Sequence, residues 1–284
     1  MDKFVDLHIH STASDGSMTP TEIVRHAKKI GLVAIALTDH DTVDGIEQAM
    51  EESKRVGLEV VPGVEISLDY NTEMHMLGYF FNDGYKKLEP LLKRFRIGRE
   101  QRNPRIIEKL NTMGFDISNE EVIAEAQGRV LARPHIASVM VKKGYVKTVA
   151  EAFDKYISNG KTAYVKRDSL TPKEGIRAIK EAGGLPVLAH PIHLKLDLED
   201  MDILLSQLVL KGLMGVETYY VDNSREDTIN FLKLAQKHNI IATGGSDFHG
   251  SFKPDIKMGE GRGNLQVPYV AFRDLRRLAQ TLNN

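Results

Sequence analysis

Cysteine is absent from the 284 residues, which excludes disulfides, thiolate-ligated iron–sulfur clusters, a cysteine nucleophile and every thiolate zinc site. Any metal must therefore be held by nitrogen and oxygen. An excess of either charge is also missing. The 38 Lys+Arg stand against 39 Asp+Glu, a formal net charge of −1, which argues against a generally basic nucleic-acid binder but leaves local patches open. No long apolar run exists: Ile30 to Leu37 falls far short of the roughly 20 residues that span a bilayer. The start, Met1-Asp2-Lys3-Phe4-Val5-Asp6, has no basic leader followed by an apolar stretch. The expectation is a cytoplasmic protein with no membrane association. What is present is ordinary for a globular chain, 42% apolar and 27% charged, and the length suits one large α/β domain or two smaller ones.

Short apolar runs alternate with segments of helical period: Phe4 to Ile9, Val33 to Leu37, Leu58 to Ile66, Leu185 to Ala189, Gly215 to Tyr219 and Ile240 to Thr243. Such alternation implies βα units and a mainly parallel sheet. Thr19-Pro20-Thr21-Glu22 and Thr171-Pro172-Lys173-Glu174 each offer a capping hydroxyl, proline at the first helical position and a glutamate that can close a capping box. Residues 82–166 differ, with apolar residues at helical spacing and no strand before Ala163 to Lys166. They are read as a helical insertion into an α/β body made of 1–81 and 167–284. Within the insertion, Lys86 to Lys109 holds nine Lys/Arg and three Glu. One reading is a solvated helix face; the sharper one is a polyanion-facing insertion beside an active site. Arg96, Arg99, Arg102 and Arg105 drift around a helix rather than form one stripe.

The first strand ends in His8-Ile9-His10, and residues two apart on a strand share a side, so both imidazoles can reach one metal. Near the far end, Ile240 to Thr243 leads into Ser246-Asp247-Phe248-His249, giving a second pair at the same spacing. Between them, apolar runs end at Asp39-His40, Glu65 and His190. Barrel enzymes place catalytic groups at the C-terminal ends of several strands, so ligand-type residues at five strand ends point to one site. His75 begins a run, but Asp69-Tyr70-Asn71-Thr72 is turn chemistry, and a hairpin would return His75 to the Glu65 strand. Imidazoles and carboxylates suit Zn²⁺, Mn²⁺ or Fe²⁺ alike. Asp15, in Ser14-Asp15-Gly16, reads either as a turn residue or as a ligand. His26 and His238 lie in expected helices and are read as structural, and His193 as a loop residue or one that supports a ligand from behind. Tyr219 and Tyr220 are candidates for stacking on a base, with core packing expected for at least one.

The pieces Asp6-Leu7-His8-Ile9-His10-Ser11, Asp15-Gly16, Leu37-Thr38-Asp39-His40-Asp41, Pro62-Gly63-Val64-Glu65, His75, Ala189-His190-Pro191 and Ser246-Asp247-Phe248-His249 resemble, in order, the PHP family, named for polymerase and histidinol phosphatase. The resemblance implies a distorted (β/α)7 barrel whose mouth binds two or three divalent metals (Mn, Zn or Fe). On its pattern His8, His10, Glu65 and Asp247 hold one metal, with Glu65 bridging to a second on His75 and His190. Asp15, His40 and His249 hold a third; Asp15 stands where some family members have His. The helical insertion resembles that of the TrpH-like or YciV-like subgroup, whose members act as nucleoside 3′,5′-bisphosphate phosphatases or as 5′→3′ exonucleases on short RNA or DNA. Arg133-Pro134-His135, within Val130 to Ala137, resembles the subgroup motif whose Arg and His reach the substrate phosphate.

The expected activity is thus hydrolysis of a phosphate ester on a small nucleotide or the 5′ end of a short oligonucleotide, by a hydroxide formed between metals about 3.5–4 Å apart. Glu65, Asp247, Arg133 and His135 are its expected catalytic residues, and no obligate protein partner is evident. A histidinol-phosphate or other small-molecule phosphomonoesterase is the nearest alternative. A non-catalytic polymerase-type module is the distant one, opposed by the full set of nine ligands.

Overall fold

Both Thr-Pro-x-Glu segments start helices in the computed structural model, which describes residues 3–126, 133–165 and 169–282. Thr19 and Thr171 each accept from the backbone of the glutamate three residues on, and that glutamate accepts from the threonine's own backbone. The chain divides into two units, one of Met1–Pro90 with Leu170–Asn284 and one of Leu91–Ser169.

The first unit contains β1 (Phe4–Ile9), α1 (Pro20–Lys29), β2 (Ala34–Leu37), α2 (Ile46–Val56), β3 (Glu59–Ser67) and β4 (His75–Tyr79) before the second unit interrupts it. The second contains most of α3 (Glu89–Thr112), then α4 (Asn119–Ala126), α5 (Arg133–Lys142) and α6 (Val149–Ala152). The first resumes with α7 (Pro172–Glu181), β5 (Leu185–Leu188), α8 (Leu198–Val209), β6 (Gly215–Tyr220), α9 (Arg225–Lys237), β7 (Ile241–Gly245), β8 (Val267–Pro268) and α10 (Tyr269–Leu282). No helix among the described residues is long and apolar enough to cross a membrane.

The sheet runs in the order β7-β6-β5-β4-β3-β2-β1-β8. β1 to β3 are parallel, as are β5 to β7. β4 is antiparallel to both its neighbours, which is the distortion of an otherwise regular βα barrel. A bridge between Ile9 and Phe248 brings the chain after β7 back to β1, so the sheet nearly closes. Helices cover the outside and side chains fill the inside, hence strands that are apolar and buried almost throughout.

One irregularity decides where the first histidines point. The β1–β2 ladder slips between Asp6 and Ile9. Before the slip, Leu7 packs with Ala34, Ala36 and Leu77; after it, Ile9 packs with Ile23 and Val24 of α1. Side chains alternate along a strand, so His8 and His10, flanking Ile9, both turn away from the helices.

In the second unit, Ile106, Ile107 and Leu110 of α3 pack with Ile136 and Met140 of α5 and with Ile157. The basic run does not form a single face. Arg102 is buried against Asn103 while Arg105 and Lys109 are exposed, as three-residue spacing on a helix requires. The strand expected near Ala163 to Lys166 is not found in its described part. Ala163 donates back to Tyr156 and Tyr164 to Lys161, a turn that uses the donors a sheet would need; Lys166 lies outside the described residues.

Candidate metal centre

Glu65 is the hub. It is buried at 1% exposure and sits two residues before the end of β3, with Ser67 paired to His75 across the β3–β4 hairpin. That pairing returns His75 to the site as the turn residues suggested. Oε1 of Glu65 lies 2.9 Å from His75 Nδ1 and 2.9 Å from His190 Nε2, and these two nitrogens are 3.2 Å apart. Oε2 lies 3.2 Å from Nε2 of both His8 and His10 and 3.1 Å from His40 Nδ1. Asp247 Oδ1 adds contacts of 3.2 Å to His10 and 3.7 Å to His8. Asp15 reaches His10 at 3.5 Å, His249 at 3.4 Å and His40 at 3.9 Å. All nine residues named from the strand ends and loops are therefore gathered at one place.

Three sets have ligand atoms close enough to share an ion: His8, His10 and Glu65; His40, Glu65 and His75; and His10, Asp15, His40 and His249. The directions of the atoms say more than their distances. His8 Nε2, both nitrogens of His10, His40 Nδ1 and Glu65 Oε2 are buried and form no hydrogen bond, although several lie near 3.2 Å from one another. Buried polar atoms without partners are costly. Atoms that crowd together yet do not bond are aimed at a common point between them, and an imidazole-and-carboxylate set aimed in this way fits a divalent cation.

Electrostatics agree. Burial disfavours charge on Asp15, Glu65 and Asp247, but the surrounding imidazoles, joined at Asp247 by Lys253, outweigh it and hold all three carboxyls well below the usual range. Burial likewise opposes protonation of His10, but Asp247 and Glu65 raise it to about 9, and Glu217 and Glu65 lift His8. His40 goes the other way, to about 3, because burial joined by the charges of His10 and His75 prevails. Without an ion, the carboxylates are balanced by protons on histidine and, at Asp247, by the Lys253 ammonium.

The backbone bends to present these groups. Asp41, His190 and Asp247 have φ of 51°, 27° and 54°, a region that side chains rarely adopt and that clusters at functional sites. A Cβ on Gly245 would fall 2.3 Å from that of His8, so glycine there lets the end of β7 lie against β1.

Residues that the strand-end rule missed hold the ligands in place. Glu217, buried within β6, accepts from His8 Nδ1 at 3.0 Å and from the His190 backbone at 2.8 Å, which fixes the tautomer that turns His8 Nε2 inward. Asp6, buried in β1, accepts from the Ser246 amide and hydroxyl and from the Gly259 amide, tying the Asp247 segment to the first strand. Both were legible as lone acids inside apolar strands, where an acid must have partners. Asp39, which the strand-end pattern did mark, accepts from Ser11 and Ser14 and so fastens the loop that carries Asp15.

Tyr220 is buried and donates to Asp247 Oδ2 at 3.0 Å, a packed position rather than an open stacking surface; Tyr219 is half-buried against the barrel core. Lys253 also reaches Asp247 Oδ2, at 2.8 Å. His26 stacks on Phe248 and His238 pairs with Asp202, as structural histidines do. His193 pairs with Asp222.

Arg133 and His135 lie in the second unit, at the start of α5. Arg133 donates to the Ile157 carbonyl at 3.2 Å and lies over the rings of Phe153 and Tyr164. His135 helps Lys142 and Ser138 hold the Glu125 carboxyl low. Val130 to Ala132 of the same motif lie outside the described residues.

The sequence profile of the PHP domain matches residues 6–165, more than half of the chain. The chain belongs to the PHP domain family. Among PHP relatives, a 5′-3′ exoribonuclease of Haemophilus influenzae is 34% identical over 88% of this chain and 91% of its own. A phosphoribosyl 1,2-cyclic phosphate 1,2-diphosphodiesterase of Eggerthella lenta is 30% identical over 94% and 98%. A 3′,5′-nucleoside bisphosphate phosphatase of Chromobacterium violaceum is 30% identical over 86% and 87%. A solved structure from Bifidobacterium adolescentis, described as a metal-dependent phosphoesterase, superposes with a TM-score of 0.74 at 31% identity, covering 96% of this chain and 95% of that one.

Proposed function

We propose that this PHP chain is a cytoplasmic, divalent-metal-dependent phosphoesterase acting on a small nucleotide, such as a nucleoside 3′,5′-bisphosphate, or on the 5′ end of a short oligonucleotide. The observation that carries the reading is the set of buried, unbonded nitrogen and oxygen atoms converging around Glu65. His8, His10, Glu65 and Asp247 would hold one ion; Glu65, His75 and His190 a second; Asp15, His40 and His249 a third. Bound divalent ions supply Lewis acidity to a phosphate and lower the pKa of coordinated water. The protein supplies the rest. Glu217 sets the orientation of His8, Tyr220 fixes the carboxylate of Asp247, and the Asp6–Ser246 contacts hold the segment that bears it. Such supporting contacts govern metal affinity nearly as strongly as the ligands do. Arg133 and His135 are proposed to bind the substrate phosphate, on the strength of their motif and of arginine's planar donor fork.

The test is turnover on adenosine 3′,5′-bisphosphate, a 5′-phosphorylated oligonucleotide and histidinol phosphate, before and after chelation and reloading with Mn²⁺. The expected result is chelator-sensitive hydrolysis of one or both nucleotide substrates. Hydrolysis of histidinol phosphate alone would replace this reading with a small-molecule phosphomonoesterase.

A further inference from the structure

Lys253 is a cation placed against a site built to gather cations, and that placement needs a reason. We infer that Lys253 binds the phosphate of the substrate, an inference that rests on the phosphoesterase reading above.

The lysine is held, not merely nearby. It follows the turn Gly250–Phe252, donates its amide to the Gly250 carbonyl at 3.2 Å, and belongs to a segment pinned by the Ser251 amide on Ser17 Oγ at 2.8 Å. Gly250 has φ +67°, and a Cβ there would lie 2.0 Å from Ser17 Oγ, so glycine permits the close approach. From this anchor Nζ reaches Asp247 Oδ2 at 2.8 Å while the side chain stays 39% exposed.

Oδ2 already accepts the Tyr220 hydroxyl at 3.0 Å, whereas Oδ1 faces His10 and His8. A neutral donor is therefore in place to orient this carboxylate, and it does so without adding charge. A second donor that is positive weakens the attraction of the cluster for divalent ions. The like-charged neighbour becomes favourable once an anion binds beside it. An ammonium has three N–H donors; one is spent on Asp247, and the exposure of the side chain leaves the others for a ligand. Lysine as a compact point charge suits phosphate oxygens.

The test uses Mn²⁺-loaded full-length protein titrated with inorganic phosphate by calorimetry, with metal content measured by elemental analysis, for the wild type, Lys253→Met and Lys253→Arg. Lys253→Met should bind phosphate about tenfold more weakly at unchanged metal content, and Lys253→Arg should recover most of the loss because the charge is kept. Equal phosphate affinity in wild type and Lys253→Met overturns the inference. So does loss of metal from both variants, which would make Lys253 a support for Asp247 alone. If loaded wild type hydrolyses a phosphate ester yet binds no phosphate, the role of Lys253 falls while the phosphoesterase reading stands.

Discussion

The two units of this chain use charge in opposite ways. In the barrel, six histidines gather with Asp15, Glu65 and Asp247, six of the nine residues buried, several of their atoms lack hydrogen-bond partners, and the backbone adopts positive φ at His190 and Asp247. In the unit of Leu91–Ser169, charges mostly pair at the surface, as Glu151 with Lys155 and Glu121 with Lys143, above an apolar core of Ile106, Leu110 and Ile136. Surface pairs of the second kind contribute little to stability. Buried, unbonded polar groups of the first kind cost stability unless a ligand completes them. The difference locates the chemistry: a protein keeps such a cluster only where something binds.

The largest expected effect therefore lies at the hub. Glu65→Gln keeps the shape but removes the charge shared by His8, His10, His40, His75 and His190, and should lower turnover by on the order of a thousandfold or more together with metal content. Near-normal turnover at full metal loading would remove Glu65 from the site. Next comes Glu217→Gln, at a carboxylate that accepts from the His8 ring and the His190 amide. Its expected cost is roughly 10–100-fold in metal affinity, measured by competition with a chromophoric chelator; an unchanged affinity would show that the tautomer of His8 is set without Glu217.

Much of the barrel was legible because its signals are local. Apolar runs ending in His, Asp or Glu marked the strand ends, Thr-Pro-x-Glu marked α1 and α7, and Asp69 to Thr72 marked the hairpin that returns His75. What was not legible depends on distant pairing. Lys253 follows no strand end, and nothing near it in sequence says that its ammonium meets Asp247. Tyr219 and Tyr220 stayed open between stacking and core packing because strand alternation alone does not reveal a hydroxyl buried on a carboxylate 27 residues away. The β1 slip that turns both His8 and His10 inward is equally silent in sequence, since it belongs to the ladder with β2.

Proton linkage gives a smaller effect that separates the units further. In the metal-free barrel His10 titrates near 9, raised from an ordinary value of 6.5, whereas ligation needs a neutral ring. Loading with Mn²⁺ at pH 7.5 should release about one proton from His10, seen as a calorimetric heat that varies with buffer ionisation enthalpy and fades above about pH 9. The same raised value means that His10 contributes stability to the metal-free protein that is fully present below pH 6.5 and lost as pH rises through about 9. A buffer-independent heat would show that the histidines are already neutral.

Arg133→Ala should have the smallest effect, and it asks whether the second unit takes any part in the chemistry. Arg133 has a structural role in its own unit, through the Ile157 carbonyl and the rings of Phe153 and Tyr164. If it also binds substrate phosphate, its loss should raise KM about tenfold while leaving kcat and metal content close to wild type, and Arg133→Lys should restore KM only partly, because lysine lacks the planar fork. A purely structural arginine predicts a different pattern: a lower Tm with KM unchanged in the protein that remains folded. Measuring KM and Tm on the same preparations decides between the two, since packing against Phe153 affects Tm and only contact with substrate changes KM.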